Sequence, residues 1–136
     1  MKRTGKAEME KVVLDASAIL ALLQRENGAD IVEQHLAGAI VSAVNMAEVA
    51  AKLTDKGMSD IDVRSVLASL GLEAVDFDIE MAHATANLRA STREKGLSLG
   101  DRACLTLAIL RNLPTLTADK VWSELDVGVD VRLIRQ

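Results

Sequence analysis

The feature that most restricts this chain is an alternation of short β-branched runs with helical stretches that continues from near its start to its end. Val12–Leu14 reads as a strand, 17–24 and 28–37 as helices, and Ala39–Ser42 as a second strand. A helix over 44–56 ends at Gly57. Another over 59–70 opens with Ser59 and Asp62 spaced as a capping box and stops at Gly71. Residues 72–75 form a third strand, and Asp78 caps a long helix that runs to Lys95 and stops at Gly96. A helix over 101–112, a strand over 114–117, a short helix over 119–125 and a closing strand over 130–134 complete the pattern. Strands separated by helical crossovers demand a mostly parallel sheet with right-handed connections and helices on both faces. In such sheets ligands bind beyond the carboxyl ends of the strands, near the point where strand order reverses.

The 136 residues suit one domain, with no linker, repeat or low-complexity segment to divide them. Residues 11–136 form that domain, and the basic start within 1–10 reads as a short disordered lead-in without a signal-type apolar stretch. No apolar run reaches the ~18–20 residues that would span a bilayer, so a cytoplasmic protein without a membrane partner is expected. The single cysteine, Cys104, excludes an intrachain disulfide, and its apolar helical surroundings make it a small core residue rather than a nucleophile. His35 and His83 each stand alone on a helix and read as surface or capping residues. With 16 basic and 20 acidic residues the net charge is −4, which argues against a dedicated nucleic-acid binder. One Phe, one Trp and no Tyr leave no aromatic platform for stacking bases. Any polynucleotide would be held through its phosphates.

Four acidic residues sit where elements meet. Asp15 ends Val12-Val13-Leu14, Glu48 lies within Asn45-Met46-Ala47-Glu48-Val49, Asp101 opens a helix after Ser98-Leu99-Gly100, and Asp119 follows Thr115-Leu116-Thr117-Ala118. Each has a local structural reading. Asp15 and Asp119 suit helix caps, and Asn45/Glu48 and Ser98/Asp101 are spaced as capping boxes. Glu48 is also placed to pair with Lys52, for about 0.2–0.5 kcal/mol. The neighbours weaken these readings, because 44–51 looks largely buried and Asp15 is bracketed by Val-Val-Leu and Ala-Ile-Leu. Carboxylates embedded among apolar residues survive when paired, hydrogen-bonded or bound to a cation. Ser17 and Thr117, two residues from Asp15 and Asp119 respectively, supply hydroxyls able to orient them.

If the four converge, mutual repulsion raises at least one pKa, and metal binding releases that proton. All-oxygen ligands with open water positions suit Mg²⁺ or Mn²⁺ rather than zinc. A hard divalent ion held in this way supports water activation and in-line displacement at a phosphodiester.

The motifs Val12-Val13-Leu14-Asp15-Ala16-Ser17-Ala18-Ile19-Leu20, Asn45-Met46-Ala47-Glu48-Val49, Gly96-Leu97-Ser98-Leu99-Gly100-Asp101-Arg102-Ala103-Cys104 and Leu116-Thr117-Ala118-Asp119-Lys120-Val121-Trp122 resemble those of the PIN-domain ribonucleases. More narrowly, they resemble VapC-type toxins of toxin–antitoxin pairs. The resemblance implies a Rossmann-like α/β/α sandwich, an Mg²⁺- or Mn²⁺-dependent endoribonuclease, a cognate antitoxin that occupies the active site, and a homodimer. It maps the family's acidic quartet onto Asp15, Glu48, Asp101 and Asp119, with Ser17 and Thr117 in support.

Arg89, Arg93, Lys95 and Lys120 are candidates for substrate phosphates, although the first three also suit the last turns of a helix. Arg102 is expected to pair with an acidic neighbour. Two rival functions share the fold class. A catalytically silent interaction module would show no stabilisation by millimolar Mg²⁺ or Mn²⁺. A phosphoacceptor signalling domain would label with a small phosphodonor, but it wants adjacent acidic residues after the first strand, where Asp15 stands alone.

Overall fold

A computed structural model describes residues 10–136. The expected lead-in lies outside the described residues except for Glu10, whose carboxylate accepts a hydrogen bond from Arg132 at 2.7 Å. Strands β1 (Val12–Leu14), β2 (Ala39–Ser42), β3 (Glu73–Val75), β4 (Thr115–Thr117) and β5 (Val131–Leu133) form one parallel sheet in the order β3-β2-β1-β4-β5. The helices are α1 (Ala16–Leu23), α2 (Ala29–His35), α3 (Ala43–Asp55), α4 (Asp60–Ser69), α5 (Ile79–Thr92) and α6 (Leu99–Arg111). Short 3₁₀ turns cover Leu36–Gly38, Arg93–Lys95 and Lys120–Glu124.

Successive strand residues point to opposite faces, so the continuously apolar strands feed two cores. Val12, Leu14, Val41 and Leu116 pack with Ile19, Leu22, Val32, Val49, Leu53 and Val63 on one face. Val13 and Ile40 pack with Met81, Leu105, Leu107 and Trp122 on the other. Burying each of these large side chains is worth about 1.5–3 kcal/mol relative to exposure. The result is the three-layer α/β/α sandwich that the alternation predicts.

Several boundaries differ from the sequence reading, each for a local reason. The helix expected over 44–56 starts at Ala43, because Ser42 caps it by accepting from the Val44 N–H at 3.2 Å. Asn45 therefore lies inside the first turn, and no Asn45/Glu48 capping box forms. Only one face of α3 is buried: Asn45, Val49 and Leu53 are inside, whereas Ala47 and Ala51 are exposed, so the largely buried 44–51 segment is not observed. The long helix after Asp78 ends at Thr92 and tightens into a 3₁₀ turn, which Gly96 stops in the left-handed region at φ +67°. The segment after Asp119 is entirely 3₁₀. Ser59 accepts from the Asp62 N–H at 3.1 Å, forming one half of the box expected there.

Strand order reverses at β1, with β2 and β3 on one side and β4 and β5 on the other. The register pairs Leu14 with Leu116, which sets Asp15 beside Thr117 at the carboxyl ends of β1 and β4. From the opposite layers, α3 and α6 approach each other next to that crevice.

Candidate active site

Among the described residues Asp15 is the most deeply buried acidic group, only 3% exposed. Its Oδ1 accepts from the Ala18 N–H at 2.9 Å and the Ser17 hydroxyl at 2.8 Å, and its Oδ2 accepts from the Thr117 hydroxyl at 2.6 Å. Each hydroxyl in turn accepts a backbone N–H: Ser17 Oγ from Ala118 at 2.9 Å, and Thr117 Oγ1 from Asp119 at 3.0 Å. The end of β4 is thereby tied to Asp15 through two hydroxyls, which places Asp119 one link away. Asp119 is exposed, and its Oδ1 accepts from the Val121 N–H at 3.0 Å as cap of the 3₁₀ turn.

The other pair comes from α3 and α6. Asp101 is the third residue of α6 rather than its opening residue; Ser98 is the cap. Ser98 Oγ accepts from the Asp101 N–H at 3.1 Å and Asp101 Oδ2 accepts from the Ser98 N–H at 3.0 Å, the full capping box. The carboxylate of Glu48 lies directly against Gly100, where any Cβ would collide with it. Asn45, 1% exposed, donates through Nδ2 to Glu48 Oε1 at 2.9 Å and to the Gly100 carbonyl at 3.0 Å.

Asp15 and Asp101 repel one another. Burial raises the Asp15 carboxyl to about 6, against the pull of the Thr117, Ala18 and Ser17 hydrogen bonds, and the charge of Asp101 lifts it further. Burial also pushes the Cys104 thiol well up, with Asp15, Asp101 and Glu48 all acting on it in the same direction. Cys104 thus stays a thiol in the core, as its surroundings in the sequence imply. None of the ion pairs among the described residues includes Asp15, Glu48, Asp101 or Asp119, and Glu48 does not pair with Lys52.

The cationic candidates divide. Lys95 is committed to Glu124 at 2.8 Å, a contact that joins the loop before α6 to the turn after Asp119. Arg89, Arg93 and Lys120 are exposed and absent from the ion pairs among the described residues. Arg102 does not pair with an acidic neighbour. It turns inward, 9% exposed, and donates to the Thr85 carbonyl at 3.1 Å. His35 bonds the Ile31 carbonyl of its own helix, and His83 is exposed on α5. An open cavity of about 300 Å³, lined by Val75, Met81, Leu107 and Leu110 and rimmed by Asp76, Asp78, Glu80 and Arg111, contains none of the site residues.

Asn45 and Gly100 are the positions that sequence reasoning did not assign to the site. Their signals were an amide three residues before Glu48 and a glycine inside the first turn of a helix, where it costs about 0.5–1 kcal/mol relative to Ala.

The donor set is chemically suited to a hard divalent cation: carboxylate and hydroxyl oxygens, one buried carboxylate without a cationic partner, and no His or soft thiolate at hand. Among the described residues no three acidic, His or Cys side chains already stand at separations that would enclose an ion.

The family model described as PIN domain matches residues 12–128. The chain is similar in fold to the DNA-bound VapBC of Salmonella typhimurium (TM-score 0.72, 19% identity, covering 93% of this chain and 99% of that one). It is similarly related to a toxin–antitoxin complex from Klebsiella pneumoniae (TM-score 0.68, 17% identity, 93% and 99%). VapBC-5 of Mycobacterium tuberculosis matches at TM-score 0.54 and 25% identity, over 93% and 98%. No curated protein sequence matches the chain.

Proposed function

The chain belongs to the PIN-domain family, and from that premise we propose that it is an Mg²⁺- or Mn²⁺-dependent endoribonuclease, the toxin of a toxin–antitoxin pair. The observation that carries this reading is Asp15 itself, buried without a cationic partner at the end of β1 where strand order reverses, and deprotonated only at some expense. Asp15, Glu48, Asp101 and Asp119 would hold the cation. When bound, Mg²⁺ or Mn²⁺ supplies charge neutralisation at the phosphodiester and activation of water.

The chain's own residues prepare that chemistry. The Ser17 and Thr117 hydroxyls fix the Asp15 rotamer and favour its charged form, so a cation meets an oriented acceptor. Asp15 would give up any proton it holds when a cation binds. The capping box holds Asp101 at the start of α6, and the Asp119 backbone is held by Thr117. Exposed Arg89, Arg93 and Lys120 are available to phosphates that the carboxylates would repel. Similar structures are those of VapBC and toxin–antitoxin complexes, which supports a cognate antitoxin as partner. Homodimerisation and a cytoplasmic location complete the proposal; no helix among the described residues is long and apolar enough to cross a membrane.

The test is cleavage of a mixed cellular RNA pool by purified protein with Mn²⁺ or Mg²⁺, beside Asp101→Asn and an EDTA blank. Cleavage confined to the metal-containing wild-type lanes is expected. Cleavage that survives in Asp101→Asn or in EDTA overturns the assignment.

A further inference from the structure

We infer that Asn45 is a positioning residue for the Glu48 carboxylate, and that Gly100 is the seat against which it holds it. The inference rests on the metal-dependent nuclease reading of the site and adds two residues to it. Asn45 is sealed from solvent at 1% exposure, yet its amide makes both of its hydrogen bonds through one end. Its Oδ1 is buried with no donor among the described residues. Rotating the amide by half a turn would set Oδ1 against the Glu48 carboxylate and the Gly100 carbonyl, two acceptors, and lose both bonds. The observed orientation is therefore the one that serves Glu48, and it is kept although an acceptor goes unsatisfied.

A purely structural position at this place would favour an apolar side chain. The other buried residues of α3 are Val49 and Leu53, both apolar. Instead the amide spans 55 residues of sequence and couples α3 to the first turn of α6, next to Asp101. Gly100 supplies the other half of the latch. Its position in α6 has ordinary helical geometry and needs no glycine for its backbone; what excludes a side chain there is the Glu48 carboxylate itself. Two independent features, an amide that pulls and a missing Cβ that makes room, thus fix the same carboxylate relative to Asp101. Groups that orient a ligand in this way typically change metal affinity by about 10–100-fold when removed.

Mn²⁺ binding to the full chain, followed by the loss of free-ion electron paramagnetic resonance signal, tests this beside thermal melting in EDTA. Asn45→Leu removes the donor and the orphaned oxygen together at similar volume. Its melting temperature should equal or exceed that of wild type while Mn²⁺ affinity falls at least tenfold. Gly100→Ala leaves Asn45 in place and displaces only the end of the Glu48 side chain, so it should fold and lose affinity comparably. It also keeps the test decisive if Asn45→Leu does not fold. Wild-type affinity retained within twofold in either folded variant overturns the positioning role alone. A wild-type chain that binds no Mn²⁺ overturns the metal-site reading and this inference with it.

Discussion

At the scale of single residues, Asp15 has three hydrogen-bond donors and still titrates near 6, because burial outweighs them. The sign of the resulting pH effect is fixed. A carboxyl raised from 3.8 to about 6 binds its proton more tightly in the folded chain than in the unfolded one. Its stabilising contribution is complete below about pH 3.8 and is lost as pH rises through 6. At about 1.36 kcal/mol per pH unit the loss approaches 3 kcal/mol in the metal-free protein. Asp15→Asn keeps an acceptor for Ala18 and removes the charge, so in EDTA at pH 7.5 it should melt several degrees above wild type. That advantage should shrink toward pH 4.5, and RNA cleavage should be absent. A variant that melts below wild type at pH 7.5 would contradict the burial account. Thr117→Val tests the opposing pull. It strips the 2.6 Å donor from Asp15 Oδ2 and the acceptor from the Asp119 N–H, at about 1–3 kcal/mol of stability. With less support for its charge, Asp15 should titrate higher, and the acidic limb of the cleavage profile should move to higher pH. Activity measured at pH 6 should therefore fall more than activity at pH 8; equal losses would mean that Thr117 acts only on folding.

At the scale of elements, caps and tertiary contacts were legible to different degrees. The Ser98/Asp101 box was readable because its partners are three residues apart, and it engages the same carboxylate to which the proposed function gives a site role. The two uses separate by mutation. Ser98→Ala should lower stability by about 0.5–2 kcal/mol through loss of the cap, with most cleavage retained. Asp101→Asn keeps an oxygen for the Ser98 N–H and should retain the fold while abolishing cleavage. Similar kcat losses in both would place Ser98 in the chemistry. The alternation of strands and helices, and the placement of Asp15 and Asp119 at strand ends, followed from periodicity and turn residues for the same reason: the information lies within a few neighbours. Asn45 and Arg102 were misread because their partners lie elsewhere. Asn45 looked like half of a local box, but α3 begins two residues before it, and its carbonyl partner is Gly100 on α6. Arg102 looked like a neighbour for an acid, but the packing of α5 on α6 turns its guanidinium toward the Thr85 carbonyl. Periodicity also overstated the burial of α3, since a run of small residues around Glu48 leaves Ala47 and Ala51 on the outer face.

At the scale of the whole molecule, the fold buries Asp15 within reach of the charge of Asp101 on a chain that carries a net charge of −4. One divalent cation bound beside Asp15 would halve that figure, so metal should act on folding as well as on RNA. A ligand that binds only the native state stabilises it by an amount that grows with the logarithm of concentration, about 2.7 kcal/mol at one hundred times its Kd. Melting temperature at pH 7.5 should thus climb steadily with Mn²⁺ or Mg²⁺. Screening offers a competing explanation, because simple salt also weakens repulsion between exposed charges. Sodium chloride at matched ionic strength separates the two, since it should reproduce little of the shift if the cation sits among Asp15, Glu48, Asp101 and Asp119. Protons supply a second separation. Below about pH 6 the cation must displace a proton from Asp15, so the same Mn²⁺ concentration should stabilise less at pH 5.5 than at pH 7.5. A metal shift that sodium chloride matches, or that is unchanged between those pH values, would locate the effect in diffuse surface charge rather than at the ends of β1 and β4. The Asp15→Asn chain, already relieved of its buried charge, should show the smallest response of all.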